Sequence, residues 1–310
     1  MRLLLLGCTG FVGKELVPAL LKEGHELCII SRKNINNLKI NIPVDKFKFL
    51  KIDLSKKQNW NNDNLLSNLK DSDGIINLMG EPIADKKWTD SQKEEIEKSR
   101  INSTKFLMET LKKFRINPKV IINGSAIGFY GTSLTEEFNE NSNSGNDFLA
   151  NLCKKWEEVA NGKPFFSRLV IFRIGIVLEA EGGALGKMLP VYKIGLGGPI
   201  GDGKQWMSWI HRSDLCGLIL KALVDKKFSG VINAVAPEPV LMKDFSRTLG
   251  RCLNRPDLLP VPGSILKLLL GDGAKLVLEG QKVISIKLQE KIYNFKYPLL
   301  EKAIYASTKN

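Results

Sequence analysis

Histidine is nearly missing: two occur in 310 residues, and the five cysteines, Cys8, Cys28, Cys153, Cys216 and Cys252, form no Cys-x-x-Cys pair. That leaves no ligand set of the kind a zinc ion takes, and no metal site is expected. An odd number of scattered thiols fits a reducing compartment and buried apolar roles better than a disulfide framework. Long apolar runs are also missing. The stretches at 3–6, 119–122 and 265–270 are far shorter than the roughly 20 residues of a membrane-spanning helix. No signal peptide is expected, since the first strand already begins at Arg2-Leu3, and the chain reads as soluble and cytoplasmic. Internal repeats and low-complexity linkers are absent as well.

Acidic residues are the minority charge: 33 Asp and Glu stand against 46 Lys and Arg, a net +13. Such an excess can mark a nucleic-acid or anionic-membrane partner. Here the lysines are spread along the whole chain, no basic tract forms and no aromatic-interleaved basic motif appears. No nucleic-acid partner is therefore expected, although a basic surface still favours phosphorylated cofactors or substrates.

What is present is an alternation of apolar strands and amphipathic helices. Leu3–Leu6 is a continuous apolar run, as in a strand covered on both faces. Gly13–Lys22 has apolar residues at helical spacing and ends at Gly24. Further strands are predicted at Glu26–Ser31, Phe47–Ile52, Gly74–Leu78, Lys119–Asn123, Ser167–Arg173 and Val231–Ala234, with a long helix over Ser91–Phe114. This order predicts an α/β fold: a Rossmann doubly wound parallel sheet with a smaller, partly interleaved C-terminal α+β lobe. The nucleotide domain is placed at 1–178, with 206–236 returning to it, and the substrate lobe at 179–205 and 237–310.

The first strand runs into Gly7-Cys8-Thr9-Gly10-Phe11-Val12-Gly13, a Gly-x-x-Gly-x-x-Gly spacing. The three glycines serve different ends. The first allows a sharp turn out of the strand, the second close approach to a pyrophosphate, and the third tight packing of the helix on the sheet. The helix N-terminus then offers free N–H groups to phosphates. The end of the second strand selects the cofactor. An acid there bonds the ribose 2′-OH of NAD, whereas Ile30-Ser31-Arg32-Lys33 supplies a hydroxyl and two cations, which suit the 2′-phosphate of NADP.

With these motifs, the Asp53-Leu54 pair, NLMGEPI (77–83), INGSAIGFYG (122–131) and WIHRSDL (209–215), the chain resembles the extended short-chain dehydrogenases/reductases. Lys87-Trp88-Thr89, Lys98-Ser99-Arg100, DFLANLCKKWE (147–157), RIGIVL (173–178) and GDGKQWMSWIH (201–211) are similar to its atypical 39U-type epimerase-like subgroup, also labelled cell-division-inhibitor-like. The resemblance covers nearly the whole chain. It implies NADP on Gly7, Thr9, Gly10, Phe11, Val12 and Gly13, with Ser31 and Arg32 at the 2′-phosphate and Asp53 and Leu54 beside the adenine. Leu78, Met79 and Gly80 would follow the pyrophosphate and ribose, and Gly124, Ser125 and Ala126 would lie near the nicotinamide. The substrate implied is a small molecule of unnamed, hydroxylated kind, and a homodimer or a protein partner is compatible with the pattern.

One departure matters. Active members carry Tyr-x-x-x-Lys on the helix after the serine strand, the lysine lowering the tyrosine pKa for acid–base work. Aligned on Glu157, those two positions hold Leu149 and Cys153. Catalysis, if retained, falls to Ser125, which would polarise a carbonyl, and to Tyr130 or water. The alternative is a non-catalytic NADP-binding regulatory or scaffold protein, linked to cell or plastid division. Of the other candidates, His211 either meets substrate or holds Asp214, which reads as a helix N-cap. Arg173 either meets an anion or steadies a loop, Trp88, Trp206 and Trp209 wall a pocket or fill cores, and Lys86, Lys87 and Arg100 reach phosphates or are solvated.

Overall fold

The computed structural model describes residues 1–33, 47–164 and 167–309. Strand β1 (Arg2–Leu6) buries every residue after Arg2 and leads into helix α1 (Gly13–Lys22), past whose end Gly24 takes the left-handed conformation at φ +77°. In chain order follow β2 (Glu26–Ser31), β3 (Phe47–Lys51), α2 (Asp63–Asp71), β4 (Gly74–Asn77), α3 (Asp90–Lys113) and β5 (Val120–Ala126). Then come β6 (Glu137–Phe138), α4 (Phe148–Ala160), β7 (Arg168–Ile174), β8 (Ile176–Glu179), α5 (Gly183–Lys193), β9 (Trp206–Met207) and β10 (Trp209–His211). The last elements are α6 (Arg212–Val224), β11 (Gly230–Ala234), β12 (Val240–Leu241), α7 (Met242–Leu253), α8 (Gly263–Leu270), α9 (Lys275–Leu278), β13 (Lys282–Val283) and α10 (Leu300–Thr308).

Seven strands form one sheet in the order β3-β2-β1-β4-β5-β7-β11, and every pairing in it is parallel. Side chains alternate across each strand, so β1 feeds two cores. Leu3 and Leu5 pack with Leu16 and Leu20 of α1 and Leu215 and Ile219 of α6, while Leu4 and Leu6 pack with Leu65 and Leu69 of α2 and Leu107 and Leu111 of α3. Helices on both faces make the sheet doubly wound, as the alternation predicts. Because β2 and β4 leave β1 in opposite directions, a crevice opens at the carboxyl end of β1.

The second lobe is built around a third core that includes Leu189, Tyr192, Trp209, Phe245, Leu249 and Ile304. Its connection to the sheet runs through short pairings. Ile176–Glu179 leaves the main sheet to pair with Trp209–His211, β9 pairs β12, and β13 pairs β6 across 144 residues of chain between Lys282 and Glu137, whose numbers differ by 145. Helix α6, in contrast, lies back against α1.

Asp214 is not the N-cap of α6. His211 is: its Nδ1 accepts the Ser213 N–H at 3.1 Å. Asp214, fully buried one turn in, instead accepts the Tyr293 hydroxyl at 3.1 Å and the backbone N–H groups of Lys296 and Tyr297 at 2.7 and 2.9 Å. The local sequence could not reveal this, because the donors arrive from the far end of the chain.

Candidate functional site

Three glycines shape the turn after β1, and each does so for a different physical reason. Gly7 is at φ +73°, and a Cβ on it would lie 2.5 Å from the backbone of Leu78 and Met79, which crosses directly over it. Gly13 starts α1 in contact with the Cys8 backbone, where a Cβ has no room. Gly10 has a different setting. It is not in the left-handed region, and the nearest protein atom to a Cβ there is the Gly7 carbonyl oxygen at 4.0 Å. The fold does not require glycine at position 10; a ligand lying on the turn would. Helix α1 has Val12 at its N-cap and no side-chain cap; the Lys14 and Glu15 N–H groups turn back to the carbonyls of Gly10 and Val12, and no side chain occupies the N-terminal end.

The other predicted cofactor positions gather around the same crevice. The Thr9 and Ser31 hydroxyls are 3.4 Å apart, joining the turn to the end of β2, and Ser31 also accepts the Lys33 N–H. Arg32 is exposed, with its Nη2 3.8 Å from Glu81. Asp53 binds the Ser55 N–H and hydroxyl; partial burial opposes its charge, but these two bonds hold its pKa below the usual value. Leu54 is buried, its carbonyl taking the Trp60 indole N–H. The loop after β4 is fixed from beneath. Asn77 donates to Asn123 and Thr104 and accepts the Met79 N–H, and Trp156 donates to the same Thr104 hydroxyl. Gly124 lies against Leu78 and Trp156, and Gly80 against Arg100.

At the end of β5 the chemistry departs from the expectation for Ser125. Its hydroxyl is buried and donates to Glu157 Oε1 at 2.7 Å. Glu157 in turn receives Arg173 Nε and Nη2, both at 2.8 Å, and Arg173 Nη1 donates to the Tyr130 hydroxyl at 2.9 Å. Tyr130 passes its own hydrogen to Asn233 at 2.7 Å. Arg173 thus meets neither an anion from solvent nor a loop, but closes a buried chain that ties α4, β5, β7 and β11 together. Tyr130 is bonded on both sides, and burial raises its pKa. While it donates its hydrogen to Glu157, Ser125 offers only lone pairs to the crevice, so polarising a carbonyl requires that bond to break. Leu149 packs in an apolar cluster with Trp88, Ile96 and Leu152, and burial pushes the Cys153 thiol to about 12. Neither position can exchange a proton near neutrality.

The remaining candidates divide. The indoles of Trp88 and Trp209 are buried, with their N–H groups on the carbonyls of Ile83 and Glu238, and that of Trp206 reaches Leu134. Lys86 bonds Glu81 at the surface. Arg212 was not among the predicted residues, yet it binds Glu15 of α1 at 2.8 Å, Glu179 at 3.4 Å and Glu181 at 3.3 Å, fastening the glycine turn's helix to the second lobe. Its signal, the WIHRSD motif, pointed to His211 and Asp214. Among the described residues no cluster suits a metal ion, and no helix is long and apolar enough to cross a membrane.

Comparison with known proteins agrees with this geometry. The profile of the NAD dependent epimerase/dehydratase family matches residues 3–151, and a domain of unknown function, DUF1731, matches 261–306. "Epimerase family protein SDR39U1 homolog, chloroplastic" from Arabidopsis thaliana is 39% identical over 302 residues, 97% of this chain and 84% of that protein. The chain belongs to the SDR39U1 epimerase family. Human epimerase family protein SDR39U1 is 34% identical over 308 residues, 98% of each chain. The crystal structure of its isoform 2 with NADPH superposes on this member of the family with a TM-score of 0.88 and full coverage of both chains. UDP-glucuronic acid 4-epimerase from Bacillus cereus, at 21% identity and a TM-score of 0.77, covers 99% of this chain and 98% of its own and shares the fold.

Proposed function

We propose that this epimerase-family protein binds NADP(H) in the crevice beside β1 and moves hydride to or from a small hydroxylated substrate without the Tyr-x-x-x-Lys pair. The observation that carries the reading is Gly10, whose missing Cβ leaves space that no protein atom uses. The NADPH named with the human relative supports the choice of cofactor. Gly7, Thr9, Gly10, Phe11, Val12 and Gly13 would hold the pyrophosphate, Ser31 and Arg32 the 2′-phosphate, and Asp53 and Leu54 the adenine. Leu78, Met79 and Gly80 would line the ribose, and Gly124, Ser125 and Ala126 the nicotinamide. When bound, the cofactor supplies the hydride-carrying nicotinamide. Ser125, its hydrogen held by Glu157, accepts a hydrogen bond from a substrate hydroxyl and so orients it. Leu149 has no acid–base group, burial raises the Cys153 and Tyr130 pKa values and the Tyr130 hydrogen is engaged by Asn233, so water in the crevice carries the proton. Five free thiols, four of them buried, support a reducing setting such as the cytoplasm.

Titration with NADPH and NADH, followed by nicotinamide fluorescence, tests the cofactor. NADPH binds, Arg32→Ala weakens it about tenfold or more, the effect of losing ~1.4 kcal/mol, and NADH is poor in both proteins. Absence of NADPH binding in the wild type overturns the reading. The apolar Leu149 and buried Cys153 favour a second reading, a non-catalytic protein whose shape responds to cofactor occupancy. Transfer of deuterium from 4-deuterated NADPH to a panel of small carbonyl compounds separates the two. The relatives described above carry no division-related name, and division is not part of the proposal.

A further inference from the structure

Four arginines among the described residues are not exposed: Arg100, Arg168, Arg173 and Arg212. Three are fully engaged. Arg168 donates to the carbonyls of Ala222, Leu223 and Phe228, Arg173 to Glu157 and Tyr130, and Arg212 to three glutamates. Arg100 differs. Its Nη1 donates to the Ile96 carbonyl at 3.2 Å and the Ser99 hydroxyl at 3.4 Å, while Nε and Nη2 have no hydrogen-bond partner and no carboxylate lies within ion-pair distance. Glu81, the acid on the adjoining loop, is taken by Arg32 and Lys86.

The free nitrogens form the side of the guanidinium that presents two parallel N–H groups, the fork that matches two oxygens of a carboxylate or phosphate. This edge is not sealed. The buried polar atoms without a partner are Gln92 Nε2, Ser167 Oγ, Gln205 Oε1 and His211 Nε2, and neither Arg100 nitrogen is among them. Its surroundings hold the plane in position. A Cβ on Gly80 would lie 2.8 Å from Cζ and 2.9 Å from Nη2, so the loop backbone rests on the guanidinium, and the Trp156 ring centre is 5.5 Å from Cζ. Desolvation lowers the Arg100 pKa and outweighs the opposing effects of Cys153 and Glu81, so the protein offsets the burial of this cation only in part. The Trp156 ring that faces Arg100 also lies 3.6 Å from a Cβ placed on Gly124, next to Ser125, so the guanidinium lies near the end of β5.

We infer that Arg100 is an oxyanion-binding residue whose Nε–Nη2 edge receives a carboxylate or phosphate of the molecule bound in the crevice. The inference rests on the NADP(H) reading above. Two sources share this chemistry: an anionic group on the substrate, and the pyrophosphate of the cofactor. Calorimetric titration of wild type, Arg100→Gln and Arg100→Lys separates them, first with NADPH, then with inorganic phosphate and malonate on the NADPH-saturated protein.

If the cofactor is the source, Arg100→Gln weakens NADPH about tenfold or more and Arg100→Lys restores only part of it. If the substrate is the source, NADPH binds equally well in all three, and the heat of phosphate or malonate binding seen in the wild type is lost in Arg100→Gln. Unchanged binding of NADPH and of both anions in Arg100→Gln overturns the inference, and full recovery by lysine overturns the fork. Should Arg100→Gln fail to show a cooperative thermal transition, Arg100→Lys decides, since it keeps the charge and loses the fork. Failure of the wild type to bind NADPH refutes the cofactor reading. Phosphate binding to the nucleotide-free protein, lost in the variant or retained, then upholds or overturns the role of Arg100 by itself.

Discussion

Gly7 and Gly10 are three residues apart and answer to different constraints. Gly7 has a left-handed backbone and the Leu78–Met79 backbone on its Cα, so Gly7→Ala must move a strand end and lowers stability. Gly10 has neither constraint. Gly10→Ala therefore leaves the folded state undisturbed, and fewer unfolded conformations raise stability by about 0.4–1 kcal/mol. The same methyl occupies the space a pyrophosphate would take, so NADPH affinity falls by about tenfold or more, ~1.4 kcal/mol. Thermal unfolding and NADPH titration on one preparation check both halves; parallel losses of stability and affinity would contradict them. The turn was legible in the sequence because three glycines at fixed spacing after an apolar strand are a local pattern. Arg100 was legible only as one of three cations beside that loop, reaching phosphates or solvated, since Gly80 and Trp156, which enclose it, lie 20 and 56 residues away in sequence.

Among the elements, the strands of the main sheet were the easiest to read, because the central ones, such as residues 3–6 and 120–122, are the apolar runs that both faces of a parallel sheet demand, whereas the edge strand β3 is interrupted by lysines. The two-residue to four-residue strands joining the lobes carry no periodicity, and their partners lie elsewhere in the chain, as Ile176–Glu179 does from Trp209–His211. The start of α6 shows what such a junction costs in pH tolerance. His211 caps that helix through Nδ1, which places its hydrogen on Nε2, a buried atom with no partner. Burial, with smaller contributions from Lys296 and Arg212 and an opposing one from Glu15, lowers its pKa from 6.5 to about 4. The unfolded chain takes up this proton near pH 6.5 and the folded protein only near pH 4. Between those values the unfolded state binds more protons, so stability falls as the pH is lowered. Asparagine accepts the same capping bond without titrating. His211→Asn accordingly keeps its melting temperature better than the wild type from pH 6.5 to 4. Melting curves with identical pH dependence in the two proteins would remove His211 as the cause.

For the molecule as a whole, the two lobes are held by charge as much as by apolar packing. Arg212 joins α1 to the end of β8 and to Glu181 just after it, and two positions on, Asp214 fastens the segment that carries α10. Asp214→Ala strands two backbone N–H groups and a tyrosine hydroxyl in the interior, at a cost of at least about 3 kcal/mol. The expected result is a lower unfolding temperature and early proteolytic loss of residues beyond about 290, with the main sheet protected. Simultaneous cleavage throughout the chain would show that this contact does not hold the end in place. The same carboxylate also orders events on the ribosome. Its three donors follow it by 79, 82 and 83 residues, which at roughly 5–20 residues per second is a wait of about 4–17 s. Early in that interval Gly230–Ala234 completes the parallel sheet in sequence, while the helix beside the glycine turn still carries an unanswered acid in its interior. The nascent protein therefore settles α6 beside the glycine turn only when the last few dozen residues emerge, and a message truncated before Tyr293 encodes every strand of the sheet but leaves Asp214 buried without its donors.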